Sequence, residues 1–177
     1  PASFTPERSA ELFKALDMLQ SLVNLPLAVE CRHPGFFLKD QYEVAVLQEL
    51  NRQNVNRVIF DSRGLFQDGS MADAVLHARG KKPRLPVHPL ATANHPVVRF
   101  IGHSDWLHNQ RYLEQWRQKI QQWLSEGRSP YFFVHTAGNR NCPEFAREIV
   151  RFWQGSMADW PGGRLVENPA AGMTADL

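Results

Sequence analysis

Apolar and polar positions fall in blocks along this chain. Four short apolar runs, at 27–32, 57–61, 97–102 and 131–135, each end in charged or polar residues. Between them lie stretches whose apolar residues recur every three or four positions, which is the helical period. The chain therefore reads strand, helix, strand, helix, and this predicts an α/β protein with parallel strands joined by crossover helices. A first helix is expected over 6–23, opened by Thr5-Pro6, with Leu12, Leu16, Leu19 and Val23 on one face. A second, over 41–53, puts Val44, Leu47 and Leu50 together. The clearest helix, over 110–126, aligns Leu113, Trp116, Ile120, Trp123 and Leu124. A last helix opens at Asn141, where Glu144 completes a capping-box pattern.

The stretch 62–96 breaks this rhythm. Gly64 and Gly69 interrupt it, a short helix is expected over 71–79, and Pro86, Pro89 and Pro96 stiffen the remainder of the connection. A connection this long inside a compact domain is often functional. Residues 1–154 are expected to form one domain, or a large part of one, and the Gly-, Pro- and Ala-rich 155–177 a loosely packed tail. No Gly-rich dinucleotide fingerprint follows any strand, which lowers the standing of an open doubly wound sheet against a (β/α) barrel.

Composition narrows the function classes. Of 177 residues 43% are hydrophobic, enough for a packed core, and 20 basic against 18 acidic residues give a net charge of +2. A dedicated nucleic-acid binder usually carries a strong basic stripe, so nucleic acid ranks below a small molecule as a partner. Cys31 and Cys142 lie too far apart to suggest a zinc cage or disulfide framework, which favours a reducing, cytoplasmic setting. No apolar run approaches the roughly 20 residues that span a bilayer.

The candidate chemistry sits at the strand ends, where binding groups collect in parallel α/β folds. By alternation, Glu30 and Arg32 share a strand face while Cys31 takes the other, toward the covering helices. If the strand-end faces of Asp61, Arg99 and His135 also point inward, five side chains converge: Glu30, Arg32, Asp61, Arg99 and His135. One reading makes them ion pairs that satisfy one another. The other makes them a site, with Glu30, Asp61 and His135 as acid–base groups and Arg32, His33 and Arg99 as ligands for a small anionic or phosphorylated molecule. Gly138, Asn139 and Arg140, ahead of the last helix, could add an anion cradle, or be an ordinary capped helix start. Glu30, His33 and Asp61 are weak metal candidates without a local ligand signature. No cofactor is named by the sequence; none, or a divalent metal, is compatible with it. Trp106, expected in a loop, is the one tryptophan placed to face a ligand, and the basic run from Arg79 to Arg84 reads as solvated.

Several pieces, in order, resemble a known family: Val29-Glu30-Cys31-Arg32-His33-Pro34, Asp61-Ser62-Arg63, Val98-Arg99-Phe100-Ile101-Gly102, Tyr112-Leu113 with Trp116, and Pro130-Tyr131-Phe132-Phe133-Val134-His135-Thr136. They resemble the YecE-like family, numbered 72 among the domains of unknown function. Pro1-Ala2-Ser3-Phe4 looks like the end of that family's fourth strand. The resemblance implies a TIM-like barrel, with some likeness to metal-dependent endonuclease and sugar-isomerase barrels, and carries no established activity. It implies site positions at Glu30, Arg32, His33, Asp61 and Arg99. This chain departs from the pattern at Ile101, where many members carry histidine, and at His135-Thr136, where they carry paired asparagines. The functions to weigh are an enzyme of hydrolase or isomerase/lyase type, a nucleic-acid-processing or nucleic-acid-binding barrel, and a non-catalytic ligand-binding protein. On this resemblance the chain supplies about the second half of a barrel. It is therefore expected either to lack a part before Pro1 or to pair with another copy, with Val97, Ile101, Tyr131 and Phe133 otherwise left exposed.

Overall fold

A computed structural model describes residues 3–154, and the tail expected over 155–177 lies outside them. Four strands, β1 (Ala28–Val29), β2 (Asn56–Asp61), β3 (Val97–Ile101) and β4 (Tyr131–His135), form one parallel sheet in the order β1-β2-β3-β4. Six helices accompany them: α1 (Ser9–Leu22), α2 (Gln41–Arg52), α3 (Arg63–Gln67), α4 (Asp73–Lys81), α5 (Trp106–Ser125) and α6 (Cys142–Gln154). Strand order follows chain order without the reversal that marks a doubly wound sheet. No helix among the described residues is long and apolar enough to cross a membrane.

Local chemistry sets the helix starts. The Asp40 carboxylate accepts from the backbone N–H groups of Tyr42 and Glu43 at 3.0 and 3.2 Å and so caps α2. Asp105 does the same for α5 through Leu107 N–H at 2.9 Å, so this helix begins at Trp106 and not at 110. The expected start was late because the added turn, Trp106 to Asn109, is half polar and its Leu107 is exposed, so it does not extend the apolar stripe of the helix. Its Trp106 is no ligand-facing loop residue: the ring packs edge-on against Phe145 and Phe152 of α6. On α2 the buried side is Glu43, Val46 and Leu50, while Val44 is exposed. The expected face was rotated because a buried carboxylate does not register in an apolar pattern.

That carboxylate anchors a charged network. Glu43 accepts from Arg57 Nη1 at 2.9 Å, pairs with His88 Nδ1 at 2.7 Å and accepts the Lys39 N–H at 2.8 Å. Arg57 also donates to the Phe36 carbonyl at 3.2 Å and lies over the Phe37 ring. Together these tie α2, β2, the turn before α2 and the long 82–96 connection into one unit.

The two faces of the sheet differ. Ile59 of β2 and Val98 and Phe100 of β3 pack against α5 and α6 through Leu113, Trp116, Phe145 and Ile149. The register pairs Phe60 with Arg99 and Arg99 with Phe133, so these three side chains share the opposite face. The C-terminal end of that face is covered by α4. An atom added at Gly138, after β4, would sit 3.6 Å from Ala74 Cβ at the start of α4. At its other end, the Lys81 carbonyl accepts from Arg32 Nη2 at 3.2 Å, beyond β1. Nine residues of helix reach about 13 Å, close to the roughly 14 Å across four strands. Val75 and Ala78 of α4 join Phe60 and Ile101 in one cluster. Ile101 is thus fully buried, contrary to expectation, whereas Tyr131 and Phe133 are exposed. Below α3, Gly64 permits a close approach: a Cβ there would lie 2.7 Å from the His103 backbone nitrogen.

Burial works against the charged form of Glu43, but the hydrogen bonds from His88, Arg57 and Lys39 outweigh it and hold its carboxyl below the ordinary range. The network therefore stabilises the fold above the ordinary carboxylate range, and its contribution is lost as pH falls through the lowered value. Glu43→Ala leaves Arg57 buried without its partner and is expected to cost about 3–5 kcal/mol in urea unfolding at pH 7. A cost under about 0.5 kcal/mol, the size of an ordinary surface change, would mean the network carries no stability.

Candidate functional site

Four of the five expected strand-end groups meet on the face beneath α4. Glu30 follows β1 and is paired with Arg99 Nη1 of β3, with Arg32 Nε 3.8 Å from its other oxygen. Arg99 lies 5.5 Å above the Phe60 ring, which serves as its floor. His135 ends β4 directly opposite Ile101 in register, two residues past Arg99. Its imidazole pKa is lowered, first by burial and then by Arg99, although a hydrogen bond with Asn139 and the Glu30 charge oppose this. Asn139 reaches the ring from a left-handed turn residue, φ 58°, a conformation Asn adopts more readily than most.

A sixth group was missed. Lys82, at the end of α4, belongs to the same cluster: burial, then Arg99 and Arg32, lower its ammonium pKa. The sequence reads it as part of a solvated basic run, because its place depends on α4 crossing the sheet. The one local signal is Pro83, which forces Lys82 into extended backbone, φ −104° and ψ 137°, and ends the helix there.

Asp61 does not join them. It is fully buried on the opposite face, where it accepts from Trp116 Nε1 at 2.8 Å and from Arg63 Nη2 at 2.8 Å. The register explains this: Asp61 pairs with Phe100, which faces α5 and α6. One residue of phase puts a strand's last side chain on the other side. The Asp61–Arg63 pair fixes the start of α3, with Arg63 stacked 4.4 Å over Tyr112.

Other expected ligands are also committed elsewhere. His33 Nδ1 accepts the Gly35 N–H at 3.1 Å and caps the turn Pro34–Phe37, so it is a structural group here. With Asp61 on the opposite face of the sheet, the proposed metal trio of Glu30, His33 and Asp61 does not assemble. Among the described residues no three His, Cys, Asp or Glu side chains gather as a metal-binding group. The 138–140 cradle is partly closed, since the N–H groups of Asn139 and Cys142 donate to the Thr136 and Asn139 carbonyls. Gly138 and Arg140 are exposed on that loop. Cys31 is buried, and burial pushes its thiol pKa up, as suits an inert side chain.

The family described as "Protein of unknown function DUF72" matches residues 1–166. The chain belongs to this family. The UPF0759 protein YecE of Escherichia coli (strain K12) is 38% identical over 149 residues, covering 84% of this chain and 54% of that protein. Its counterpart in Escherichia coli O157:H7 is 37% identical over the same length. The chain thus spans about half the length of the curated relatives it matches. A DUF72 family protein of Enterococcus faecalis, EF0366, superposes with a TM-score of 0.57 at 16% identity, over 87% of this chain and 57% of that one. TM1631 of Thermotoga maritima gives 0.53 at 15%, over 86% and 53%. At these identities the likeness concerns the fold alone.

The buried carboxylate of Asp61 and the half-open guanidinium of Arg99 predict different outcomes. Asp61→Ala strands a buried indole N–H and the Arg63 charge, and is expected to cost about 3 kcal/mol or more. Arg99→Ala opens a pair whose arginine is 33% exposed, which solvent screening limits to about 1 kcal/mol. Urea midpoints of the two variants check this order. The reverse order would place Asp61, not Arg99, at the open mouth.

Proposed function

We propose that the chain binds a small anionic molecule, phosphorylated or carboxylated, at the C-terminal ends of its strands, and that Glu30 and His135 act on it as acid–base groups. The observation that carries this reading is an imbalance of charge. Arg32 and Arg99 share one carboxylate, Glu30, while Lys82 feels the charge of both guanidiniums, beside an imidazole whose pKa is lowered. Cations that crowd one another under partial burial gain most from an added anion. Arginine forks suit carboxylate and phosphate oxygens. In this reading the Glu30–Arg99 pair is the resting arrangement, and an incoming anion competes with Glu30 for the guanidinium. A neutral His135 can then accept a proton and a released Glu30 can donate or accept one, as hydrolase or isomerase/lyase chemistry requires.

The same reading takes the sheet as one sector of a (β/α) barrel. Support comes from the unreversed strand order, from helices α5 and α6 on one face, and from polar groups gathered at the strand ends, where barrel sites lie.

Calorimetric titration with inorganic phosphate at pH 7 tests the site. The unaltered chain is expected to bind, and Arg99→Ala or Lys82→Ala to weaken binding at least about tenfold, equivalent to roughly 1.4 kcal/mol. Affinity should fall as pH rises through the lowered range of Lys82 and its charge is lost. No heat of binding, or equal affinity in both variants, would refute the anion site.

A further inference from the structure

Arginine in this chain mostly meets a carboxylate, as Arg8 does in Glu11, Arg52 in Glu49 and Arg128 in Glu126. Around α3 it does not. Arg79 Nε donates to the Leu65 carbonyl at 3.2 Å, Arg111 Nη2 donates to Gln67 Oε1 and the Tyr112 hydroxyl, and Arg84 lies 5.9 Å over the Phe66 ring. Every one of these partners is neutral. The carboxylates close by are already spent. Asp61 is buried against Arg63 and Trp116, and Asp68 is buried under the N–H groups of Ser70 and Ser104, each at 2.9 Å. Glu114, one turn along α5 from Arg111, is held by Arg117 and Gln118. Arg84 and Arg111 are both exposed. Among the described residues Arg84 makes no hydrogen bond and Arg111 uses Nη2 alone, so both keep unused donors.

Arg63 and Arg84 help to wall a cleft of about 150 Å³ between α3, α5 and the segment that follows α4, together with Phe66, Gln67 and Tyr112. Arg111 borders it through its bonds to Gln67 and Tyr112. Arg63 and Arg111 stack on the same Tyr112 ring, 4.4 and 4.6 Å from its centre. Two positive charges are thereby held inside about 10 Å, the distance over which they repel at 0.1 M salt. A ring beneath a guanidinium fixes its plane and leaves the N–H groups at its edge for an acceptor. We infer that this cleft is a second anion site, separate from the one at the strand ends, and that Arg84 and Arg111 grip in it a single oxyanion group of phosphate type. Guanidinium forks match such oxygens, and crowded cations gain from the added charge. The volume sets the class: whole small-molecule ligands fill roughly 300–1,000 Å³, so this cleft admits one anionic group and leaves the rest of any larger ligand outside. It lies on the α5 side of the sheet, opposite the Glu30–Arg99 face, and is built from residues 62–112 alone. Only Pro83 separates Arg84 from Lys82 in the chain, so a test must read both sites at once.

Amide NMR of the 177-residue chain, titrated with inorganic phosphate at pH 7 and in parallel with sodium chloride at matched ionic strength, reads them separately. Phosphate should give saturable shifts at the Gln67, Leu85 and Tyr112 amides that chloride does not reproduce. Arg84→Ala with Arg111→Ala should weaken the affinity those amides report at least about tenfold and leave the shifts at His135 in place. Arg99→Ala should do the reverse. Glycerol phosphate, run beside inorganic phosphate, tells a free ion from a monoester group, and either one seated at α3 upholds the site. Shifts that merely follow ionic strength, or that keep their midpoint in the double variant, overturn the inference. So does the loss of both sets of shifts in Arg99→Ala, which would make the two sites one. Phosphate shifts around His135 alone remove this site and leave the strand-end reading standing; shifts around α3 alone do the opposite.

Discussion

The constraint on which the rest depends is the order of the strands. Because β1 to β4 lie side by side in chain order, successive crossovers stay on one side, and α5 and α6 pack on the Ile59, Val98 and Phe100 face. The other face must find cover elsewhere. Part of it is found in α4, which departs from the pattern by crossing the strand ends. Beneath it sit Phe60 and Ile101 as an apolar floor, with Glu30, Arg32, Arg99, His135 and Lys82 around them. One crossover thus both covers part of that face and supplies a cation to it.

Electrostatics distinguishes the two buried charged sets. Glu43, Arg57 and His88 are matched in geometry and number of hydrogen bonds, lie among packed side chains, and read as structure. At the strand ends, by contrast, Arg32 and Arg99 share one carboxylate with Lys82 close to both, and both the lysine and the histidine lose pKa to burial and to their cationic neighbours. A matched set has little to gain from a ligand; a mismatched one does.

Much of this was legible in the sequence. Periodicity gave the four strands and the long helices, and alternation correctly separated Glu30 and Arg32 from the buried Cys31. It failed for Asp61 because all six positions of β2 are buried, so no exposed residue marks the phase of that strand. β1 is shorter than its apolar run, pairing with β2 only at Ala28 and Val29 among the described residues. Lys82 was invisible for a different reason. Its role is set by where α4 lies, which is a matter of tertiary packing. His33 shows the opposite case, a residue beside the site whose ring nitrogen is spent on a local turn.

Whether the cation-rich strand ends receive an anion can be read from the His135 imidazole, followed by NMR as pH is varied with and without inorganic phosphate. In the free protein this ring should titrate below the ordinary value of 6.5. Phosphate bound beside Arg99 and Lys82 offsets their charge and should move that titration upward. An unchanged His135 titration at saturating phosphate, or one that starts above the ordinary value, would mean that no anion binds beside Arg99 and Lys82.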